Sequence, residues 1–146
     1  MYNIILVAID GSPTSQRALD EAIRLAAALG SKLVIAHVID NAHVKWDLGS
    51  LSTRQITDTL IRQGHTLVAQ ALHTAQQAGI EASVVTTDDP LAYIEVATEL
   101  EKLALQVEAQ VMVLGTHGRR GVRRALLGSV AESVARSSSL PVLLVR

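Results

Sequence analysis

Five short aliphatic runs, rich in β-branched residues, are each separated from the next by a segment of helical length. This alternation constrains the fold more than any other feature of the chain. The runs are Asn3–Ile9, Lys32–Ile39, Ile80–Thr86, Val111–Leu114 and Val142–Val145. Runs with little polar alternation suit strands buried on both faces, as a parallel sheet between helix layers requires. Strands joined by helical crossovers give βαβ units, so the expected class is α/β, a three-layer domain with helices on both faces. At 146 residues the chain fits one such domain, residues 1–146.

Helix punctuation supports this division. Ser12-Pro13 reads as an N-cap followed by proline at the first helical position, and Gly30 as the stop. Between them Ala18, Ala22, Leu25, Ala26 and Leu29 form one apolar stripe. A second helix runs from Ser52 or Thr53 to Gly79, with Ile56, Leu60, Leu67, Ala71 and Ala78 as its stripe and Gly64 as an interruption. Asp89-Pro90 opens a third, with Ile94, Ala97, Leu100, Ala104 and Val107 facing inward. A fourth begins at Gly128-Ser129 and fades in Ser137-Ser138-Ser139 before Pro141. The segment Asn41–Ser50, which contains Trp46, reads as a surface loop, with a flap over a site as the alternative.

Composition removes several function classes. Cysteine is absent, so disulfides, thiolate metal sites and thiol nucleophiles are excluded together. The formal net charge of −1 argues against nucleic acid as the main partner, and the chain has no Phe for stacking bases. No apolar run approaches the roughly 20 residues needed to cross a bilayer. The first run is too short for a secretory signal and has no basic residues before it, so a cytoplasmic location is the default expectation.

Ligands of open parallel sheets bind beyond the carboxyl ends of the strands. Those ends carry Ile9-Asp10-Gly11-Ser12, Val38-Ile39-Asp40, Thr87-Asp88-Asp89 and Gly115-Thr116-His117-Gly118. The last opens a stretch, Gly115–Ser129, with glycines at 115, 118, 121 and 128 and arginines at 119, 120, 123 and 124. Its glycines let backbone N–H groups approach an anion, and it feeds a helix N-terminus that favours phosphate. The spacing is neither a Walker A loop nor the dinucleotide fingerprint. By itself it reads as an anion-binding loop, and Ser129 with Glu132 also fits a capping box that needs no ligand.

The spacing Gly115-x2-Gly118-x9-Gly128-Ser129 resembles the signature of the ATP-binding branch of the universal stress proteins. The similarity extends to Ile4–Ser12, His37-Val38-Ile39 and Leu140–Val145. The resemblance implies a five-stranded parallel sheet of order 3-2-1-4-5 and ATP, AMP or ADP as ligand, with Mg or Mn as a phosphate-bound ion. It places Asp10 by the ribose or near that metal, and the Val38 backbone on the adenine edge. Gly115, Gly118, Gly128, Ser129 and the N–H of Val130 hold ribose and phosphates. It also implies a homodimer through the last strand, Val142–Arg146, whose apolar edge independently invites pairing. The segment Thr98–Gln110 looks longer than the corresponding helix of the family, and Gln110 stands where an Asp is common.

Within the loop His117 can donate to a phosphate, although a lone histidine there reads first as a turn residue; Arg119 is the arginine expected nearest the ligand. His37 reads as a satisfied core histidine. His43, His65 and His73 lack metal-site spacing, and Asp89 is explained as an N-cap. These features favour a nucleotide-dependent sensor or regulator of the stress response with no catalytic residue. The alternatives are a slow metal-dependent ATPase acting through Asp10, or a nucleotide-independent module that binds a protein partner. A receiver domain would need a phosphoacceptor Asp after the third strand and a Lys after the fifth.

Overall fold

The computed structural model describes residues 1–39, 53–87, 95–118 and 126–146. The strands are β1 (Ile4–Ala8), β2 (Lys32–His37), β3 (Ala82–Thr86), β4 (Val111–Gly115) and β5 (Val142–Val145); the helices are α1 (Pro13–Leu29), α2 (Thr53–Gln77), α3 (Val96–Gln106) and α4 (Ser129–Ser137). All strand pairs are parallel, and the sheet order is β3-β2-β1-β4-β5. Residues Asn41–Ser50 with Trp46, the Asp89-Pro90 helix start and Ile94 lie outside the described residues.

Side chains of the central strands alternate between two cores, as the pleat requires. Ile5, Val7, Leu33, Ile35, Val111 and Val113 meet α1 and α2 on one face. Leu6, Val34, Ala36, Met112 and Leu114 meet α3 and α4 on the other. Ala18, Ala22 and Ala26 are at most 1% exposed, so α1 lies close against the sheet. The expected burial on both faces holds for β1, β2 and β4. At the edges it fails: β3 and β5 expose Val84 and Leu143, because each edge strand has a neighbour on one side alone.

Helix ends account for most boundary differences. Ser12 caps α1 by accepting the Ser15 N–H through its hydroxyl at 3.3 Å. Gly30 ends it at φ 68°, a left-handed conformation that costs glycine little, and Ser31 N–H returns to the Ala26 carbonyl at 3.0 Å. The stripe residue Leu29 is exposed, and the buried Leu19 belongs to the core instead. On α2 the inward set is Val68, Ala71 and Ala75, while Ala78 lies exposed in the turn beyond the helix. The helix α3 ends at Gln106 and is not extended to Gln110. Glu108 takes the left-handed conformation (φ 58°), and Ala109 N–H bonds the Ala104 carbonyl at 2.9 Å. The Gln110 side chain then accepts from the backbone N–H groups of Asn3 and Ile4. Among the described residues no helix is long and apolar enough to cross a membrane.

Candidate functional site

The sheet order decides where a crevice opens. From β1 the chain moves to β2 and β3 with α1 and α2 on one face, then returns to β4 and β5 with α3 and α4 on the other. The connections leaving β1 and β4 therefore diverge, and a ligand-sized gap results at their carboxyl ends.

The β1 exit is a tight, hydrogen-bonded turn. Ile9 N–H continues the ladder to the Ala36 carbonyl at 2.9 Å. Asp10 donates its N–H to Ser15 Oγ at 3.0 Å, and its Oδ1 accepts the Ser12 N–H at 2.9 Å. The turn fixes the Asp10 carboxylate at the mouth of the crevice while the chain enters α1. At the β2 exit, Val38 is buried and Ile39 N–H donates to Thr87 Oγ1 at 3.2 Å. His37 is satisfied as expected: its Nδ1 donates to the Ile9 carbonyl at 2.8 Å, tying the two exits together. Gly64 on α2 makes room for that ring, since a Cβ there would lie 2.9 Å from His37 Cδ2. The glycine that interrupts the α2 stripe therefore serves packing against a neighbouring strand end.

The β4 exit is packed more tightly still. A Cβ at Gly115 would meet Thr14 Oγ1 at 2.6 Å and Ser15 N at 2.9 Å. The next carbonyl loop is pinned from α1, with the hydroxyls of Ser12 and Thr14 both donating to the His117 carbonyl. A Cβ at Gly118 would lie 2.9 Å from Asp10 Oδ2, so this glycine lets the β4 exit and the β1 carboxylate adjoin. Gly128 closes back by donating its N–H to the Thr116 carbonyl at 2.7 Å.

Gly128, not Ser129, is the N-cap of α4, which overturns the capping-box expectation. The Glu132 N–H that a Ser129 cap would accept donates instead to the Gly128 carbonyl at 2.9 Å, and the Glu132 carboxylate pairs with Arg136 at 2.9 Å. Ser129 therefore occupies the first helical position, where the N–H groups of the first turn have no intrahelical partner.

A cavity of about 510 Å³ spans these exits, within the range of small-ligand sites. The expected residues line it in groups: Ile9 and Asp10 from the β1 exit, Val38 from β2, Gly115, His117 and Gly118 from β4, and Gly128, Ser129 and Val130 from α4. Arg119, with the other loop arginines, lies outside the described residues. An apolar wall was missed in the sequence, formed by Leu60 and Leu67 of α2 with Val96, Ala97 and Leu100 of α3. Their helical periodicity marks them as inward-facing, but nothing local separates a cavity wall from a core. Among the described residues no group of three or more His, Cys, Asp or Glu side chains could hold a metal ion. His65 and His73 are exposed on α2.

Comparison with known proteins agrees with this architecture. The model of the universal stress protein family matches residues 1–146. The universal stress protein YxiE of Bacillus subtilis is 32% identical, with all of both chains covered. A family member from Burkholderia pseudomallei has a crystal structure 31% identical, covering 99% of this chain and 96% of that one, with a TM-score of 0.76. A universal stress protein solved in complex with cAMP is also 31% identical, with 99% and 97% covered and a TM-score of 0.68. Matched along its whole length by the family model and by a full-length relative at this identity, the chain belongs to the universal stress protein family.

Proposed function

We propose that this protein binds an adenine nucleotide in the crevice and acts as a nucleotide-dependent sensor or regulator in the stress response. The observation that carries the reading is the convergence of three strand exits and the open α4 N-terminus on one cavity of about 510 Å³. The similar protein solved with cAMP supports the same ligand class.

In this reading the apolar wall and the Val38 backbone take the base. The backbone at Gly115 and Gly118 follows the ribose, and the N–H groups of Ser129 and Val130 take phosphate with help from the helix dipole. The Ser129 hydroxyl, not being the helix cap, adds a donor. Among the described cavity residues Asp10 is the one carboxylate at the β1 and β4 exits, the other, Glu95, standing before α3. A single carboxylate suits a Mg or Mn ion held jointly with ligand phosphates. ATP, ADP and AMP all fit this scheme, and ATP is the expected physiological ligand. The protein works as a homodimer through the outer edge of β5.

Titration calorimetry with ATP, ADP and AMP tests the reading directly, together with mass spectrometry of any ligand released from purified protein. Saturable binding of an adenine nucleotide is expected. A protein that purifies empty and takes up none of the three would sink the proposal.

A further inference from the structure

The parallel ladder between β1 and β2 stops one rung short of its own register. The pairing of Ala8 with Ala36 continues to Ile9 opposite His37, and Ile9 N–H still reaches the Ala36 carbonyl at 2.9 Å. The next rung of a parallel pair would run from Val38 N–H to the Ile9 carbonyl. That carbonyl instead accepts Nδ1 of His37, at 2.8 Å. Among the described residues Val38 N–H makes no hydrogen bond, although Val38 is buried and lines the cavity. Buried backbone donors are nearly always paired, so one left over in a cavity wall is suited to a ligand. Two contacts hold the arrangement. Ile39 N–H donates to Thr87 Oγ1 at 3.2 Å on the β3 side, which turns Val38 N–H toward the β1 side, since successive N–H groups along a strand point to opposite neighbours. On α2, Gly64 leaves room for the ring: a Cβ there would lie 2.9 Å from His37 Cδ2 and 3.1 Å from Nε2.

We propose that His37 is the positioning residue of the base site. By occupying the Ile9 carbonyl, its imidazole withholds that carbonyl from Val38 N–H and keeps the N–H as a donor for a ring nitrogen of the purine. Gly64 is the space this requires. This rests on the nucleotide reading above and deepens it: the imidazole is what stops the sheet from consuming the donor. With an apolar side chain at position 37 the Ile9 carbonyl loses the imidazole, and the donor that the register offers it is Val38 N–H.

Three substitutions test the role. His37→Leu removes the donor at similar bulk. His37→Asn keeps an N–H near the Nδ1 position. Gly64→Ala displaces the ring while raising helix propensity, so it decides the matter if His37→Leu does not fold. Each is titrated by calorimetry with AMP and with its 1-deaza and 7-deaza analogues, which lack one or the other ring nitrogen beside the 6-amino group. Wild-type protein is expected to bind one of the two analogues about tenfold more weakly than AMP. In His37→Leu and Gly64→Ala, AMP is expected to bind about tenfold more weakly than to wild type, and both analogues no more weakly than AMP. His37→Asn is expected to keep most of the wild-type affinity and discrimination. A merely structural role would lower affinity for all three ligands alike and leave the discrimination intact. Equal binding of AMP and both analogues by wild type overturns the inference. So does wild-type discrimination in folded His37→Leu or in Gly64→Ala, or a loss of discrimination in His37→Asn. In each of these cases the positioning role fails and nucleotide binding stands. If wild-type protein binds neither AMP nor any other adenine nucleotide, the nucleotide reading fails and takes this inference with it.

Discussion

Two glycines of the β4 exit look alike in sequence, yet their surroundings set them apart. A methyl group at Gly115 would lie 2.8 Å from the backbone carbon of Thr14 and 2.9 Å from Ser15 N. Backbone cannot yield as a side chain can, so Gly115→Ala is expected to destabilise the fold by about 1–3 kcal/mol, measured by denaturant unfolding. At Gly118 the sole close neighbour among the described residues is Asp10 Oδ2, a side-chain terminus. Gly118→Ala is therefore expected to unfold within about 0.5 kcal/mol of wild type while displacing the carboxylate and weakening nucleotide binding in calorimetry. A Gly118→Ala protein with undiminished affinity would remove Asp10 from the ligand's surroundings. Gly128 is less suited to such a test, since its added Cβ would press on the Thr116 carbonyl at 3.1 Å. The glycine spacing was legible in the sequence; which glycine is held against backbone and which adjoins the β1 carboxylate was not, because the deciding atoms come from α1 and the β1 exit.

Among the elements, helix ends show where local chemistry suffices. Ser12-Pro13 and Gly30 bound α1 as expected, since cap, proline and left-handed glycine all act within a few residues. The end of α3 was overshot because its left-handed residue is Glu108, which carries no glycine signal. The start of α4 at Gly128-Ser129 was read as found, but the capping role given to Ser129 was not: the cap is Gly128, whose N–H reaches the Thr116 carbonyl across the loop. A further long-range device anchors the turn before β5. Glu101 of α3 accepts from Ser138 Oγ at 2.8 Å, Ser139 N–H at 2.9 Å and Ser139 Oγ at 2.7 Å. Partial burial works against its charge, but these three donors together outweigh it and hold the carboxyl below its ordinary value. Its folded pKa is depressed, so the stabilisation is present above the unfolded pKa and is lost as pH falls through the folded value. Glu101→Gln is expected to lower stability by about 1 kcal/mol near neutral pH. The difference from wild type should shrink as pH drops below about 4.3. Thermal unfolding across that range checks it, and a difference independent of pH would count against the ionised anchor.

At the scale of the whole molecule, the reversal of strand order between β1 and β4 is what opens a crevice, and the same topology leaves β5 at an edge. Among the described residues β5 pairs with β4 alone, and Leu143 remains 37% exposed. An unpaired apolar edge of this kind is a template for a second strand. Sedimentation is expected to give a dimer at micromolar concentration, and Leu143→Lys to shift it toward monomer without loss of secondary structure by circular dichroism. A monomeric wild-type protein under those conditions would remove β5 as a pairing edge.

What the sequence determined by itself were the properties written in neighbouring residues: the strand–helix alternation, the α1 caps, the glycine-rich β4 exit and the carboxylate after β1. Each follows from periodicity or backbone chemistry acting over a few positions. The tertiary structure alone decided the rest. It set Gly64 against His37, and Gly118 beside Asp10. It made Gly128 the cap, enclosed the apolar wall from α2 and α3, and left His117 Nε2 without a partner among the described residues. These contacts join residues far apart in the chain, and they exist only once the crossovers have laid α1 and α2 on one face of the sheet and α3 and α4 on the other.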